Sequence, residues 1–232
     1  MAANLSALLG WMPLEWLAAP NSKPSAARAR RPNLELPEAA LNGSTPLTWW
    51  AAGSYGGELR RQLLSWRKQA KYEQRLDLLD PLLEAALPQL ARALEDHLLR
   101  LHRPGKGGLL VPIPSWKRHA NPLPGHLAQR LGASLGWRQS ALLKRSRPVL
   151  GQHHLGRQQR WSNQADGFCC QEPPQQRLGP RPPILLIDDI LTTGATLCAA
   201  AACLEQKGWR VLGAACLART PARGAAAGVR GR

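Results

Sequence analysis

The 232-residue sequence is poor in the cysteine pairs that crosslink small domains or hold structural metals. It contains five cysteines, none of them before Cys169 and no two at the C-x-x-C spacing. This pattern argues against a zinc site and against a disulfide framework, because both depend on suitably spaced cysteines. Such cysteine usage is typical of a reducing compartment, so we expect a cytoplasmic protein without zinc.

Long apolar runs are also missing. Pro13 and Glu15 interrupt the most apolar part of the N-terminus, and no basic stretch precedes it. A helix that spans a membrane needs about 20 mostly apolar residues in succession, and a secretory signal needs a basic start. The sequence therefore predicts neither a membrane span nor a signal peptide.

Acidic residues are scarce. The chain has 15 Asp and Glu against 31 Lys and Arg, which gives a formal net charge of +16. A charge of this sign and size indicates an anionic partner, either nucleic acid or a phosphorylated small molecule. The basic residues are dispersed along the chain, so charge alone does not choose between the two.

The clearest functional signal is an apolar run, residues 184–187, followed directly by Asp188 and Asp189. A Thr- and Gly-rich segment and an alanine-rich run to Lys207 come next, so the order is strand, acidic pair, loop and helix. Ligands of parallel sheets bind beyond the carboxyl ends of strands, and helix N-termini favour anions. We therefore expect a sugar phosphate, with its hydroxyls on the two acids. The residues expected to hold the phosphate are Thr192, Thr193, Gly194, Ala195 and Thr196.

Strand and helix patterns alternate over residues 109–218, which predicts a parallel α/β sheet. Helices are expected at residues 58–69, with Arg67 on the outer face, and at residues 76–101, with an interruption at Pro88. The strand over residues 109–113 ends in a proline-constrained basic loop. Lys117 and Arg118 in this loop form a second candidate anion site.

Residues 184–196 resemble the phosphoribosyl pyrophosphate (PRPP) signature of type I phosphoribosyltransferases. The resemblance is closest to the ComF subfamily and extends over residues 54–220. It includes Y-G-G-E-L-R at residues 55–60, V-P-I-P at residues 111–114, and L-K-R at residues 143–145, which leads to G-F at residues 167–168. The implied fold is a type I phosphoribosyltransferase-like parallel sheet flanked by helices, with a mainly helical N-terminal portion.

The resemblance also implies a site. Asp188 and Asp189 would hold the ribose hydroxyls, directly or through metal-bound water, with Mg²⁺ carried in by PRPP. Lys117 and Arg118 would meet the pyrophosphate. A flexible loop would close over the site, and its basic residues are Lys144, Arg145, Arg157 and Arg160.

Two departures from the subfamily pattern bear on activity. The subfamily's N-terminal four-cysteine zinc ribbon has no counterpart, and residues 119–123 lack the Arg and the aromatic residue of its R-G-F-N-Q stretch. Thr192 stands where purine-salvage relatives carry an acid, and no general base is evident. The resemblance thus implies a phosphoribosyltransferase linked to DNA uptake or nucleotide salvage. The alternative is a non-catalytic protein that binds ribose phosphate or single-stranded DNA.

The predicted domain organisation has three parts. Residues 1–45 are expected to form a loosely packed segment, and residues 46–220 to form the phosphoribosyltransferase-like domain with its core at residues 105–220. Residues 221–232 are expected to be a flexible basic tail. The oligomeric state and the acceptor substrate have no signal in the sequence.

Overall fold

A computed structural model of the chain describes residues 36–73, 80–100, 107–115, 121–146, 167–171 and 181–221. Within these ranges the protein is an α/β structure with a six-stranded mixed sheet, a separate two-stranded ribbon and four helices. The elements are β1 (Leu41–Gly43), β2 (Trp49–Ser54), α1 (Gly57–Glu73), α2 (Asp80–Arg100), β3 (Leu109–Pro112), α3 (Leu123–Leu135), β4 (Arg138–Gln139), β5 (Leu143–Arg145), β6 (Phe168–Cys170), β7 (Ile184–Leu191), α4 (Ala195–Glu205) and β8 (Val211–Arg219).

The main sheet has the order β1-β2-β8-β7-β3-β4. Strands β2, β8, β7, β3 and β4 are parallel to their neighbours, and only β1 pairs antiparallel, with β2. The carboxyl ends of the parallel strands therefore meet at one edge. The expected α/β class with a largely parallel sheet is confirmed.

The core lies in two layers, one on each face of the sheet. Leu185 and Ile187 of β7 pack with α1, α2 and α3 on one face. Ile184 and Leu186 pack with α4 and the β5–β6 ribbon on the other. Since successive strand residues point to opposite faces, an uninterrupted apolar run is what a strand covered on both sides requires.

Helix α2 continues through Pro88, so the predicted interruption at this residue is wrong. A proline inside a helix costs about 3 kcal/mol. Pro88 lies on the exposed face, whereas Leu83, Leu87 and Leu90 on either side of it are buried. Each buried leucine contributes about 1.5–3 kcal/mol, which together outweighs the cost of the proline.

The ordered sheet begins before the predicted domain boundary at residue 45. Leu41–Gly43 form β1, and the preceding Ala40 is only 6% exposed. For residues 36–45 the prediction of a loose segment is therefore corrected. Residues 1–35 and the predicted tail from residue 222 lie outside the described ranges.

None of the four helices in the described ranges combines the length and the apolar character needed to cross a bilayer.

Candidate functional site

The acidic pair and the threonine-rich turn lie at the carboxyl edge of the sheet. Asp188 and Asp189 are in the second half of β7, a bend over residues 192–194 follows, and α4 begins at Ala195. The predicted order of strand, turn and helix is confirmed. The helix ends at Glu205, two residues before the predicted end.

The turn depends on Gly194. Its φ of +83° is in the left-handed region that favours glycine. A Cβ at this position would lie 2.9 Å from Cδ of Pro46 and closer still to its Cγ. The carbonyl of Gly194 accepts the first helical hydrogen bond, from the amide of Cys198 at 2.9 Å. The segment before β2 therefore packs directly against the start of α4.

The threonines of the turn are accessible. Thr192, Thr193 and Thr196 are all partly exposed, whereas Gly194 and Ala195 are buried. The amide of Ala195 donates to Oγ1 of Thr193 at 3.4 Å. Amides at a helix start lack intrahelical acceptors and carry partial positive charge, so this turn presents the donors that an anion requires.

A guanidinium, that of Arg219 at the end of β8, lies against the back of the turn. Its Nη1 donates to the carbonyl of Leu191 at 3.1 Å and also to the carbonyl of Thr192. The guanidinium carbon is 5.4 Å from the ring centroid of Trp49 in β2. Sequence reasoning missed this residue, although a single arginine closing an otherwise apolar strand was a usable signal.

Replacement of Arg219 by methionine is expected to destabilise the turn. Methionine keeps the apolar stem but removes the donors to two partly buried carbonyls, so we expect a loss of about 1–2 kcal/mol in the free energy of unfolding. Urea denaturation measures the loss. Arg210→Met is the matched control, because Arg210 is exposed and directly precedes β8. Equal stability of the two variants would show that Arg219 does not hold the turn.

Asp189 is only 6% exposed and is bound by two partners from other elements. Its Oδ2 accepts from Nδ2 of Asn121 at 2.6 Å, just before α3, and lies 3.2 Å from Nε of Arg67 in α1. The two acids therefore differ in their surroundings, and their expected role in holding ribose hydroxyls stays a prediction. Oδ2 of Asp189 is already engaged by two side chains, whereas the side chain of Asp188 accepts a hydrogen bond from the neighbouring backbone amide.

The position of Arg67 corrects the prediction that it lies on the outer face of its helix. Leu59 and Leu63 of α1 are buried, and Arg67 follows at the same four-residue spacing. Residues four apart share one face of a helix, so Arg67 continues the buried stripe and reaches the sheet edge. That spacing was the overlooked signal in the sequence.

Asp188 is partly buried, and its Oδ1 accepts from the amide of Asp189 at 2.9 Å. Burial and the neighbouring carboxylate of Asp189 raise the pKa of Asp188 to about 8, against the opposing effects of that hydrogen bond, Arg67 and Arg145. The nearby guanidinium groups therefore do not fully balance the negative charge of Asp188, and in this sense the charge is undercompensated. A cation or a set of hydroxyl donors would stabilise its ionised form.

Arg145 is fixed beside Asp188. Its Nε donates to the carbonyl of Pro114 at 3.0 Å, and its guanidinium carbon lies 4.0 Å from the ring centroid of Phe168. Burial lowers the pKa of Arg145 to about 10, and the charge of Asp188 opposes this shift. The prediction that Arg145 belongs to a flexible loop is therefore wrong, because β5 holds it at the edge of the site.

The remaining predicted residues are placed as follows. Lys144 is exposed on β5, where its backbone carbonyl accepts from Sγ of Cys169 at 3.7 Å. In the sequence, Pro114 precedes and Asn121 follows the segment that contains Lys117 and Arg118. The carbonyl of Pro114 accepts from Arg145, and the side chain of Asn121 donates to Asp189. The predicted residues outside the described ranges are Lys117, Arg118, Arg157 and Arg160.

The two carboxylates fit the role expected for Mg²⁺. Within the described part of the chain, no group of three His, Cys, Asp or Glu residues is arranged to hold a metal. Mg²⁺ commonly needs only one or two carboxylates, because waters and ligand phosphates complete its shell. The undercompensated Asp188 suits such binding, with Asp189 behind it.

No protein-family model and no curated protein matches this chain, so the resemblance to phosphoribosyltransferases rests on its motifs and their placement.

Proposed function

We propose that this chain is a type I phosphoribosyltransferase-like protein that binds PRPP, or a related ribose 5-phosphate, together with Mg²⁺. One observation carries the proposal. A single strand, β7, presents the undercompensated carboxyl of Asp188, and four residues later the chain enters the glycine turn that starts α4. An acid that binds sugar hydroxyls and a cradle for a phosphate on the same sugar are thus adjacent.

The phosphate is held by the turn. The amides at the start of α4 and the hydroxyls of Thr192, Thr193 and Thr196 supply donors. The helix contributes about half a positive charge at its N-terminus. Arg219 bonds the carbonyls behind the turn, which holds its backbone in place and adds a full positive charge nearby. A phosphate dianion is favoured over an uncharged sugar at this end of the site.

The sugar is held by Asp188. Its carboxylate accepts hydrogen bonds from the two ring hydroxyls, and charge-assisted bonds of this kind contribute about 1.5–3 kcal/mol each. The amide of Asp189 fixes the orientation of Asp188. Arg67 and Asn121 in turn fix Asp189, so three elements of the fold hold the acid in one geometry.

If the chain is an enzyme, its reaction exchanges pyrophosphate for a nucleophile at the anomeric carbon. Mg²⁺, when bound, neutralises charge on the pyrophosphate. Lys117 and Arg118 would meet the same group, and the loop that includes Arg157 and Arg160 would exclude water. With Thr192 in place of an acid, the rate would rest on positioning and electrostatics rather than on a general base.

The second candidate is a binding protein without catalysis, whose target is single-stranded DNA. The net charge of +16 favours it, because binding to a phosphate backbone needs dispersed positive charge. The subfamily resemblance is compatible with either function, since it links these proteins to DNA uptake and use.

Calorimetric titration of the full chain with PRPP, in the presence of Mg²⁺, tests the proposal. We expect saturable binding of PRPP, weaker binding of ribose 5-phosphate, and no binding of ribose. Release of pyrophosphate on adding a series of nucleobases would identify an enzyme. If PRPP does not bind, and single-stranded DNA binds with an affinity that falls steeply with salt, the second candidate replaces the first.

A further inference from the structure

An arginine of α1 reaches the acid pair from the face of the sheet opposite the phosphate turn. Nε of Arg67 lies 3.2 Å from Oδ2 of Asp189, and the Arg67 side chain is 35% exposed. Helix α1 packs on one face of the sheet, whereas α4, which begins at the turn, packs on the other. The acid pair is therefore flanked by the turn on one face and by Arg67 on the other.

The guanidinium of Arg67 has donors that the fold does not use. Its ion pair with Asp189 involves Nε, and no hydrogen bond from its two Nη groups is found in the described part of the chain. Asn121 donates to the same Asp189 oxygen at 2.6 Å, so this carboxyl does not depend on Arg67 alone. A guanidinium presents its N–H groups in one plane, which suits the oxygens of a phosphate. The remaining donors of Arg67 are thus available to an anion.

The charges of the site favour an anion at this position only because Arg67 is there. Burial and the carboxylate of Asp189 raise the pKa of Asp188, and the guanidinium of Arg67 opposes the rise, so its charge acts on both acids. Ionised carboxylates repel a phosphate, whereas a guanidinium next to them attracts it. Arg67 therefore offsets the repulsion that the two acids exert on an anionic ligand.

We propose that Arg67 binds the anionic group at the anomeric carbon of the ligand and so selects PRPP over ribose 5-phosphate. This inference rests on the proposed function, because it assigns a further residue to the same site. In a ribose 5-phosphate unit, the two ring hydroxyls lie between the anomeric carbon and the carbon that carries the phosphate arm. With the phosphate at the turn and the hydroxyls at Asp188, the anomeric substituent extends toward Asp189 and Arg67.

A role confined to the ion pair with Asp189 leads to a different result. Loss of that ion pair would disturb the acids that hold the sugar, and PRPP and ribose 5-phosphate share this sugar. Both ligands would then lose affinity by the same factor. Loss of a contact with the anomeric group instead changes the ratio of the two affinities, so this ratio separates the two roles.

The experiment is calorimetric titration of the full chain with PRPP and, separately, with ribose 5-phosphate, each in the presence of Mg²⁺. We expect Arg67→Met to lower the affinity for PRPP at least about tenfold more than the affinity for ribose 5-phosphate. Arg67→Lys keeps the charge but lacks the planar set of donors, so it should recover only part of the preference for PRPP. If Arg67→Met does not fold, Arg67→Lys supplies the same ratio.

Two control variants distinguish the contact from indirect effects. Lys68→Met removes the same charge from the exposed face of α1 and should leave both affinities unchanged. Asn121→Ala removes the other partner of Asp189 and should lower both affinities by a similar factor. An equal loss for the two ligands in Arg67→Met would overturn the assignment of Arg67 and leave the proposed function intact. Failure of the original protein to bind PRPP would overturn both.

Discussion

Replacement of Gly194 by alanine is expected to lower the free energy of unfolding by about 3 kcal/mol and to weaken binding of ribose phosphates by at least about tenfold. Two effects add. A left-handed backbone costs an L-residue about 1–2 kcal/mol, and an atom forced into a packed contact costs about 1–3 kcal/mol. The added Cβ would overlap the ring of Pro46, so the turn has to move away from the position that suits a phosphate.

The matched control for this variant is Gly208→Ala. Gly208 has a similar φ of +75°, but the nearest atom to its added Cβ is Nη1 of Arg181 at an ordinary 3.6 Å. This variant should lose only about 1 kcal/mol, and binding should be unchanged. Chemical denaturation and calorimetry measure both quantities. If the two glycine variants lose stability equally, the contact between Gly194 and Pro46 does not constrain the turn.

Replacement of Asp188 by asparagine is expected to weaken binding of PRPP by about 100-fold and, at alkaline pH, to stabilise the protein. The first effect follows from the loss of two charge-assisted hydrogen bonds to the sugar. The second follows from the pKa of about 8 that Asp188 has in the folded protein, against 3.8 as its ordinary value. A carboxyl with a raised pKa is costly to ionise, and asparagine removes that cost.

The contribution of Asp188 to the free energy of unfolding depends on pH. The folded protein holds the proton of Asp188 up to about pH 8, whereas the unfolded chain loses it near pH 4. The contribution to stability is therefore complete below pH 4 and is lost as the pH rises toward 8. Denaturation midpoints of the original protein and of Asp188→Asn should agree near pH 4. At pH 9 the variant should be more stable by more than about 1 kcal/mol.

A control for both effects is Asp96→Asn on the exposed face of α2. It should change neither the binding of PRPP nor the dependence of stability on pH. The assignment of Asp188 would be contradicted if its variant bound PRPP as tightly as the original protein. A variant that loses stability at pH 9 would show instead that the charge of Asp188 is well compensated.

The phosphate turn could be predicted because its parts are contiguous. Apolar residues 184–187, the two acids, the threonine-rich bend and the helix follow one another, so local preferences alone specify the order. The two-sided burial of β7 was likewise readable from its uninterrupted apolar run. Local preference failed at Pro88, because burial of leucines on both sides of the proline outweighs its cost.

The partners of the acids could not be predicted with the same ease. Asn121 and Arg67 are far from Asp189 in the sequence, and only the packing of α1 and α3 against the sheet brings them within reach. Arg219 was overlooked for the same reason, since the register between β7 and β8 places it beside Leu191. The contact of Pro46 with Gly194 also depends on the fold of the whole sheet.

The sequence by itself determined where the two acids and the turn lie along the chain, since a strand, a bend and a helix start are set by interactions between near neighbours. The tertiary structure decided that the acids differ. Asp189 forms an ion pair with Arg67 and accepts a hydrogen bond from Asn121, whereas Asp188 remains undercompensated beside Arg145. The difference arises because the charge state of a buried carboxyl depends on which distant groups the fold brings within a few ångströms.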